Sequence, residues 1–502
     1  MLSRRRLLAG AAALAATRFL EAPLRARPVS GRPHLGRDPF ALGVASGDPG
    51  TDSVILWTRL TGITEDRMIG WELAEDAQFR RIVRTGTALA SAGRGHAVHV
   101  EPQGLRAGRP YHYRFHIGDA VSRTGQTATI DPGAQRLRIA LASCQHWEQG
   151  WFSAYRDMVA AMPDAVLHVG DYIYEKSFGG GPDVRRFDAP QPETLDDYRA
   201  RHALYRTDPD LAQAHASLPF IVTWDDHEVE NDYAGSQGVA TQEPAVFLRR
   251  RAAAYQAYFE HMPIAPARLR ADGEARLYRR FDWGRLASLH VLDTRQYRTP
   301  HPCSSGGQII EECDAVSDPA ATMLGGAQER WLAEGLGRSR APQWTLLGQQ
   351  TLFSRLHLPQ GPQARYSDIW DGYESTRRRV TAMLEQPSVH NSVFLGGDVH
   401  SFWVNDVQRD FDRPDSGTIA TEIVTSCLAS RNGPEALFAP ARALNSHVRF
   451  LNNSRAGYVL LDVTKERLSA QLRAVDDLAD PSSGCASLAS FVVEAGRAGA
   501  IA

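Results

Sequence analysis

From Leu137 onward the chain alternates between short, continuously apolar runs and longer stretches with helical spacing, and most of the apolar runs end abruptly in polar residues. Leu137 to Ala142 ends at Ser143-Cys144, Ala165 to Val169 at Gly170-Asp171, and Phe220 to Trp224 at Asp225-Asp226-His227-Glu228. Leu286 to Leu292 ends at Asp293, Trp344 to Leu347 at Gly348-Gln349-Gln350, and Ser392 to Leu395 at Gly396-Gly397-Asp398-Val399-His400. Runs of this kind predict strands buried on both faces, and the stretches Thr241 to Tyr258 and Gly325 to Leu336 predict helices that cover them. Polar residues gathered after buried strands are how an α/β fold sets a site at the carboxyl edge of its sheets.

The pattern before residue 137 is different. Between Phe40 and Ile130, alternating runs such as Val54 to Trp57, Ala97 to Val100 and Tyr111 to Phe115 are separated by the breakers Gly47-Asp48-Pro49-Gly50 and Arg106 to Pro110. Period-two alternation with frequent turns predicts a small all-β immunoglobulin- or fibronectin-like sandwich. Ahead of it, Ser3-Arg4-Arg5-Arg6-Leu7-Leu8 and the apolar segment Leu7 to Ala16 read as an export signal, too short to span a bilayer. The expected division is a signal and linker over 1–37, the β-sandwich over 38–132 and an α/β catalytic domain over 137–495. The signal resembles the twin-arginine type, which implies passage through the twin-arginine translocase and a periplasmic or secreted mature chain without a transmembrane segment.

Composition narrows the partners. A chain of 502 residues, 43% hydrophobic and 23% charged, can bury a large core, and a formal net charge of -2 offers no global field for a polyanion, so no specific nucleic-acid binding is expected. Only two of the 56 basic residues are lysine, Lys176 and Lys465, so an individual arginine carries little functional signal. The five cysteines form no Cys-x-x-Cys pair, which argues against a zinc ribbon or thioredoxin-like motif. In an oxidising compartment Cys303 and Cys313 are the candidate disulfide, with two free thiols as the alternative.

Four strand ends carry metal-ligand residue types: Cys144, Asp171 with Tyr174, Asp226 with His227, and Asp398 with His400. Alternation along an extended segment puts Asp398 and His400 on one side, and an aspartate straight after a buried strand can bridge two cations. In this order the set resembles the calcineurin-like metallophosphoesterases. Trp224-Asp225-Asp226-His227-Glu228, Gly396-Gly397-Asp398-Val399-His400 and Ser143-Cys144 are variants that resemble the PhoD-type alkaline phosphatase (alkaline phosphatase D) family.

The resemblance implies a metallophosphoesterase two-sheet sandwich flanked by helices, after the β domain. It also implies an exported phosphatase that hydrolyses phosphomonoesters or phosphodiesters at alkaline pH through metal-hydroxide attack on phosphorus. By analogy the site holds one ferric iron and two calcium ions, with Asp171 as the bridge, Tyr174 as a phenolate and Cys144 as a thiolate ligand. Asp226, Asp398 and His400 complete the set, Asn231 is an outer contact, and His227 and Asp171 act on small phosphate-ester substrates. The oxygen-rich ligands suit calcium and the phenolate and thiolate suit ferric iron. Arg201, Arg206 and Arg295 are candidate phosphate contacts, whereas Tyr172 alternates away from Asp171 and reads as core. A cysteine phosphatase centred on Cys144 fails, because the sixth position after it is Gly150 rather than arginine. The alternatives that stay open are a phospholipase D-like phosphodiesterase of the same family and a non-enzymatic secreted binding protein with a degenerate metal site.

Overall fold

The structure, a computed structural model, describes residues 38–241, 243–270, 273–304, 306–338 and 342–502, so the signal segment lies outside the described residues. Two large sheets face each other. The first has nine strands and the second seven. At the heart of the first, Arg136–Ala142, Ala165–His168 and Pro219–Val222 run parallel; in the second, Ala287–Val291, Trp344–Gly348, Ser392–Gly396 and Thr418–Val424 do the same. These are the apolar runs of the sequence, and their continuity follows from burial on both faces. Leu137, Ile139 and Leu141 point between the sheets toward Leu289, Leu346 and Leu395, while Ala140 and Ala142 pack the other face with Tyr155 and Phe220.

Parallel strands send all their carboxyl ends to one edge, and the chain reverses sharply there. Cys144, Asp171, Asp398 and His400 have φ of 60°, 55°, 68° and 53°, conformations that L-residues seldom adopt. Gly170 is required between them: at φ 118°, an added Cβ would lie 2.4 Å from the Asp225 Cβ and 2.5 Å from its backbone nitrogen.

Helices close the outer faces. Gly325–Leu336 coincides with the expected span, and Pro244–His261 starts three residues later than the pattern placed it, at a proline suited to the first helical turn. Leu195–Arg206 begins with a capping box between Thr194 and Asp197. Its buried face carries Tyr198, Arg201 and Tyr205, which grip the loops that bear the ligands, as described below.

The N-terminal region is all-β, with a sandwich core of its own that includes Leu56, Val98, Leu73 and Phe115. One of its two sheets is shared. Val44–Gly47, Ile55–Arg59 and Ala97–Val100 continue the nine-stranded sheet, the first by parallel pairing of Ser46 with Pro219 and Gly47 with Phe220. The hydrogen-bond ladder therefore crosses the expected boundary at residue 132. At the other end of the same sheet, Gly457–Thr464, Arg467–Val475 and Cys485–Glu494 form an antiparallel meander. Cys303 and Cys313 are disulfide-bonded, with Cα atoms 6.1 Å apart.

The shared sheet yields a prediction. A Cβ on Gly47 would meet the Phe220 and Pro263 carbonyl oxygens at 2.4 Å each. Gly47→Ala should cost about 1–3 kcal/mol through overpacking, read as a lower midpoint of one cooperative denaturant transition followed by both far-ultraviolet dichroism and tryptophan fluorescence. Separate unfolding of the N-terminal region, with the remaining transition unmoved, would contradict the continuous sheet.

Candidate metal centre and active site

Three strand ends of the first sheet and one of the second meet at the common carboxyl edge. Among the described residues, ligand atoms lie within 4.8 Å of one another in three groups: Cys144, Asp171 and His400; Asp171, Asp226 and His227; and Asp171, Asp225, Asp226 and Asp398. Asp171 belongs to all three. The Tyr174 hydroxyl joins the first, donating to Asp171 Oδ2 at 2.9 Å and lying 2.9 Å from His400 Nε2. Every residue expected to bind metal is thus brought together, and Asn231 lines the same cavity, which has a volume of about 440 Å³.

The scaffold fixes each side chain before any ion is considered. The Glu228 carboxylate accepts the backbone N–H groups of Asp171 at 3.1 Å, Tyr172 at 2.6 Å and Asp225 at 2.8 Å, which ties two ligand loops into one turn. The Tyr205 hydroxyl accepts the Tyr174 and Trp147 N–H groups at 3.0 and 3.1 Å, and Tyr198 donates to the Val229 carbonyl at 2.6 Å. His400 Nδ1 is bonded to the Arg431 carbonyl at 2.7 Å, so Nε2 is the nitrogen left facing the cluster. His227 Nδ1 lies 2.6 Å from Glu175 Oε2, which turns its Nε2 the same way.

Charge governs the rest. Burial, and then repulsion from Asp226, Glu228 and Asp398 against the pull of His227, holds the Asp171 carboxyl well above its ordinary range. Burial likewise raises Cys144 and Tyr174, each pushed further by Asp171, so both prefer their neutral forms without a nearby cation. Asp226 goes the other way: burial opposes its charge, but Arg295 and His227 outweigh that and lower it. His227 is raised well above an ordinary histidine because Glu175, Asp171 and Asp226 overcome its burial. Asp171 Oδ1, buried, has no hydrogen-bond partner among the described residues. An orphaned carboxylate oxygen, converging acids, a thiol, a phenol and an imidazole form a donor set that fits hard and ferric cations.

Three arginine expectations need correction or refinement. Arg201 is consumed by the carbonyls of Tyr174, Glu175 and Pro190, and Arg206 is buried against the Trp57 face at 4.2 Å and the His261 carbonyl, away from the cavity, so neither reaches a phosphate. Both are scaffold. Arg295 is at the centre but fully buried: it is hydrogen-bonded to Asp225, bidentate on Asp368 at 2.8 and 2.9 Å, and 3.5 Å from Asp398 Oδ1. It is an internal counter-charge. Tyr172 is core, as expected, its hydroxyl 2.8 Å from His215 Nε2. Asp225, Glu175 and Glu228 went unrecognised; the Asp225-Asp226 doublet carried a signal, whereas the pairing of Glu175 with a histidine 52 positions away carried none.

This geometry has relatives. A family model described as PhoD-like phosphatase matches residues 139–472, and one described as its N-terminal domain matches residues 25–131. The chain belongs to the PhoD-like phosphatase family. It is 40% identical over 494 residues to alkaline phosphatase D of Bacillus subtilis (strain 168), an alignment that covers 94% of this chain and 83% of the relative. A solved structure of PhoD superposes with a TM-score of 0.88 at 38% identity, covering 93% of each chain. The purple acid phosphatase PPD1 of yellow lupin superposes with a TM-score of 0.58 at 11% identity, a likeness of fold over 90% of this chain and 74% of that one. Membership makes this PhoD-like phosphatase a phosphoric ester hydrolase, which sets aside the non-enzymatic alternative, and implies metal dependence. No helix among the described residues is long and apolar enough to cross a membrane.

The acid cluster predicts a pH signature for the metal-free protein. Burial, against the pull of Arg295, raises the Asp398 carboxyl from 3.8 to about 7, and Glu228 is also raised by burial to about 7. A carboxyl that keeps its proton to higher pH in the folded state contributes stability that is complete below its unfolded pKa and is lost as pH rises through its folded one. Chelator-treated protein should therefore lose stability between about pH 4 and 7 in urea titrations, and added divalent cation should restore it. A stability that climbs steadily across that window would contradict the cluster's charge balance.

Proposed function

We propose that this PhoD-like phosphatase is an exported enzyme holding one ferric iron and two calcium ions, and that it hydrolyses small phosphomonoesters or phosphodiesters at alkaline pH. The observation that carries the reading is the shared position of Asp171 in all three ligand groups. Cys144, Tyr174, Asp171 and His400 would hold the iron, since thiolate and phenolate are strong donors to a ferric centre. Asp171, Asp225, Asp226 and Asp398 offer the carboxylate oxygens calcium prefers, with Asn231 beside them. Cations in these places supply Lewis acidity toward a phosphoryl oxygen and toward water.

The chain's own residues do the remaining work. His227, oriented by Glu175 through Nδ1, presents Nε2 to the cavity, where it holds a proton for the departing alkoxide and so acts as general acid. Glu228 and Arg295 keep the carboxylates at their spacing, Glu228 through backbone N–H groups and Arg295 by direct pairing. Export is read from Arg4 and Arg5 and the apolar segment behind them, and the division into signal, β-sandwich and catalytic domain is kept as part of the proposal.

The first test is elemental analysis of the purified protein, paired with hydrolysis of p-nitrophenyl phosphate and bis-p-nitrophenyl phosphate with and without calcium. Iron plus calcium with ester hydrolysis is expected, and zinc alone would overturn the ligand assignment. Asp171→Asn should lose metal and turnover together while keeping its circular dichroism; near-normal turnover would remove the bridge. In Cys144→Ser, iron content should fall while the fold persists. His227→Gln should lower kcat by about 10²–10⁴-fold with metal content unchanged, a loss that shrinks for esters with a better leaving group.

A further inference from the structure

We propose that Phe178 forms the leaving-group side of the active site and selects phosphate esters whose leaving group is planar and apolar, an inference that rests on the phosphatase reading above. Phe178 is 45% exposed, whereas Phe152, Tyr155, Phe220 and Trp224 are completely buried. It lines the cavity that holds Asp171, Tyr174, Asp226, His227 and Asp398. Its ring stands edge-on to His227, with centroids 5.3 Å apart at 87°, and edge-on to Tyr174 at 6.0 Å and 84°. The His227 imidazole and the exposed Phe178 ring line the same side of the cavity, so a group that leaves the phosphorus on that side passes the Phe178 ring.

The ring is held there. The chain turns away directly after it through Gly179 and Gly180, at φ 61° and 80°, where an added Cβ would meet nothing within 4 Å, so the glycines serve the turn and not close packing. Arg431 clamps the turn by donating to the Gly179 carbonyl and pairing with Asp183 at 2.7 Å. The Lys176 ammonium lies 5.2 Å from the ring centroid. An apolar wall beside a proton donor gains nothing from a polyol, but it gains stacking from a planar group, and aromatic pairs of this kind are worth about 3–10-fold.

The test uses the purified, metal-loaded enzyme with benzyl, cyclohexylmethyl and ethyl phosphate, all alkoxide-leaving monoesters, so that intrinsic leaving ability is comparable. Wild type should prefer benzyl phosphate in kcat/KM. Phe178→Ala should cut the benzyl-to-ethyl and benzyl-to-cyclohexylmethyl ratios by about 3–10-fold, and Phe178→Tyr should restore them. Equal loss on all three esters, or ratios that do not move while turnover persists, would overturn the assignment and leave the phosphatase reading standing. Failure of wild type to hydrolyse any of the esters, with metals bound, would overturn both.

Discussion

Four aspartates, 171, 225, 226 and 398, bring carboxylate oxygens within 4.8 Å of one another in the interior of the protein, and nearly everything else near them exists to make that tolerable. Like charges so close in a weakly polar medium repel strongly, and taking each from water costs further free energy. Two internal groups answer part of this: Arg295, set between Asp225, Asp368 and Asp398, and His227, raised well above an ordinary histidine by the acids around it. Raised carboxyls at Asp171 and Asp398 answer the rest by holding protons, which a cation entering the cluster would replace. Likewise, the neutral preference of Cys144 and Tyr174 means that a cation entering the first group must displace protons from them.

The fold delivers this concentration of charge by a simple device. Parallel strands in both sheets end at one edge, and the ligands occupy the first residues past those ends, where the backbone turns through left-handed conformations at Cys144, Asp171, Asp398 and His400. Such conformations persist only when their surroundings enforce them. At Asp171, Glu228 does so by accepting its backbone N–H, and Tyr205, on the packed helix Leu195–Arg206, holds the backbone of Trp147 and Tyr174 just beyond Cys144 and Asp171.

The sequence made the strands legible because burial on both faces leaves an unbroken apolar run, and it made the ligands legible because four of the runs stop at metal-binding residue types. Arg136–Ala142 and Trp344–Gly348 lie within a residue of their expected limits for that reason. What escaped were features made by distance in the chain. The parallel pairing of Gly47 with Phe220 joins segments that share no local pattern, so a sheet common to both regions was invisible. Arg201 and Arg206 looked like anion contacts because local sequence does not reveal that backbone carbonyls take up the one guanidinium and burial against Trp57 hides the other. Glu175 and Glu228 act through a remote imidazole and through backbone N–H groups, partners that a one-dimensional reading does not offer.

Arg431 occupies two roles at once: its carbonyl fixes the His400 imidazole, and its side chain holds the turn that follows Phe178. The rim of the cavity and the innermost ligand shell are therefore mechanically one part. Any swing of that turn large enough to carry the Arg431 backbone along would also twist an imidazole away from the cluster. A substrate that pushed the rim outward would therefore pull on the His400 imidazole as well, so the shape of the entrance and the placing of a ligand are set by the same residue.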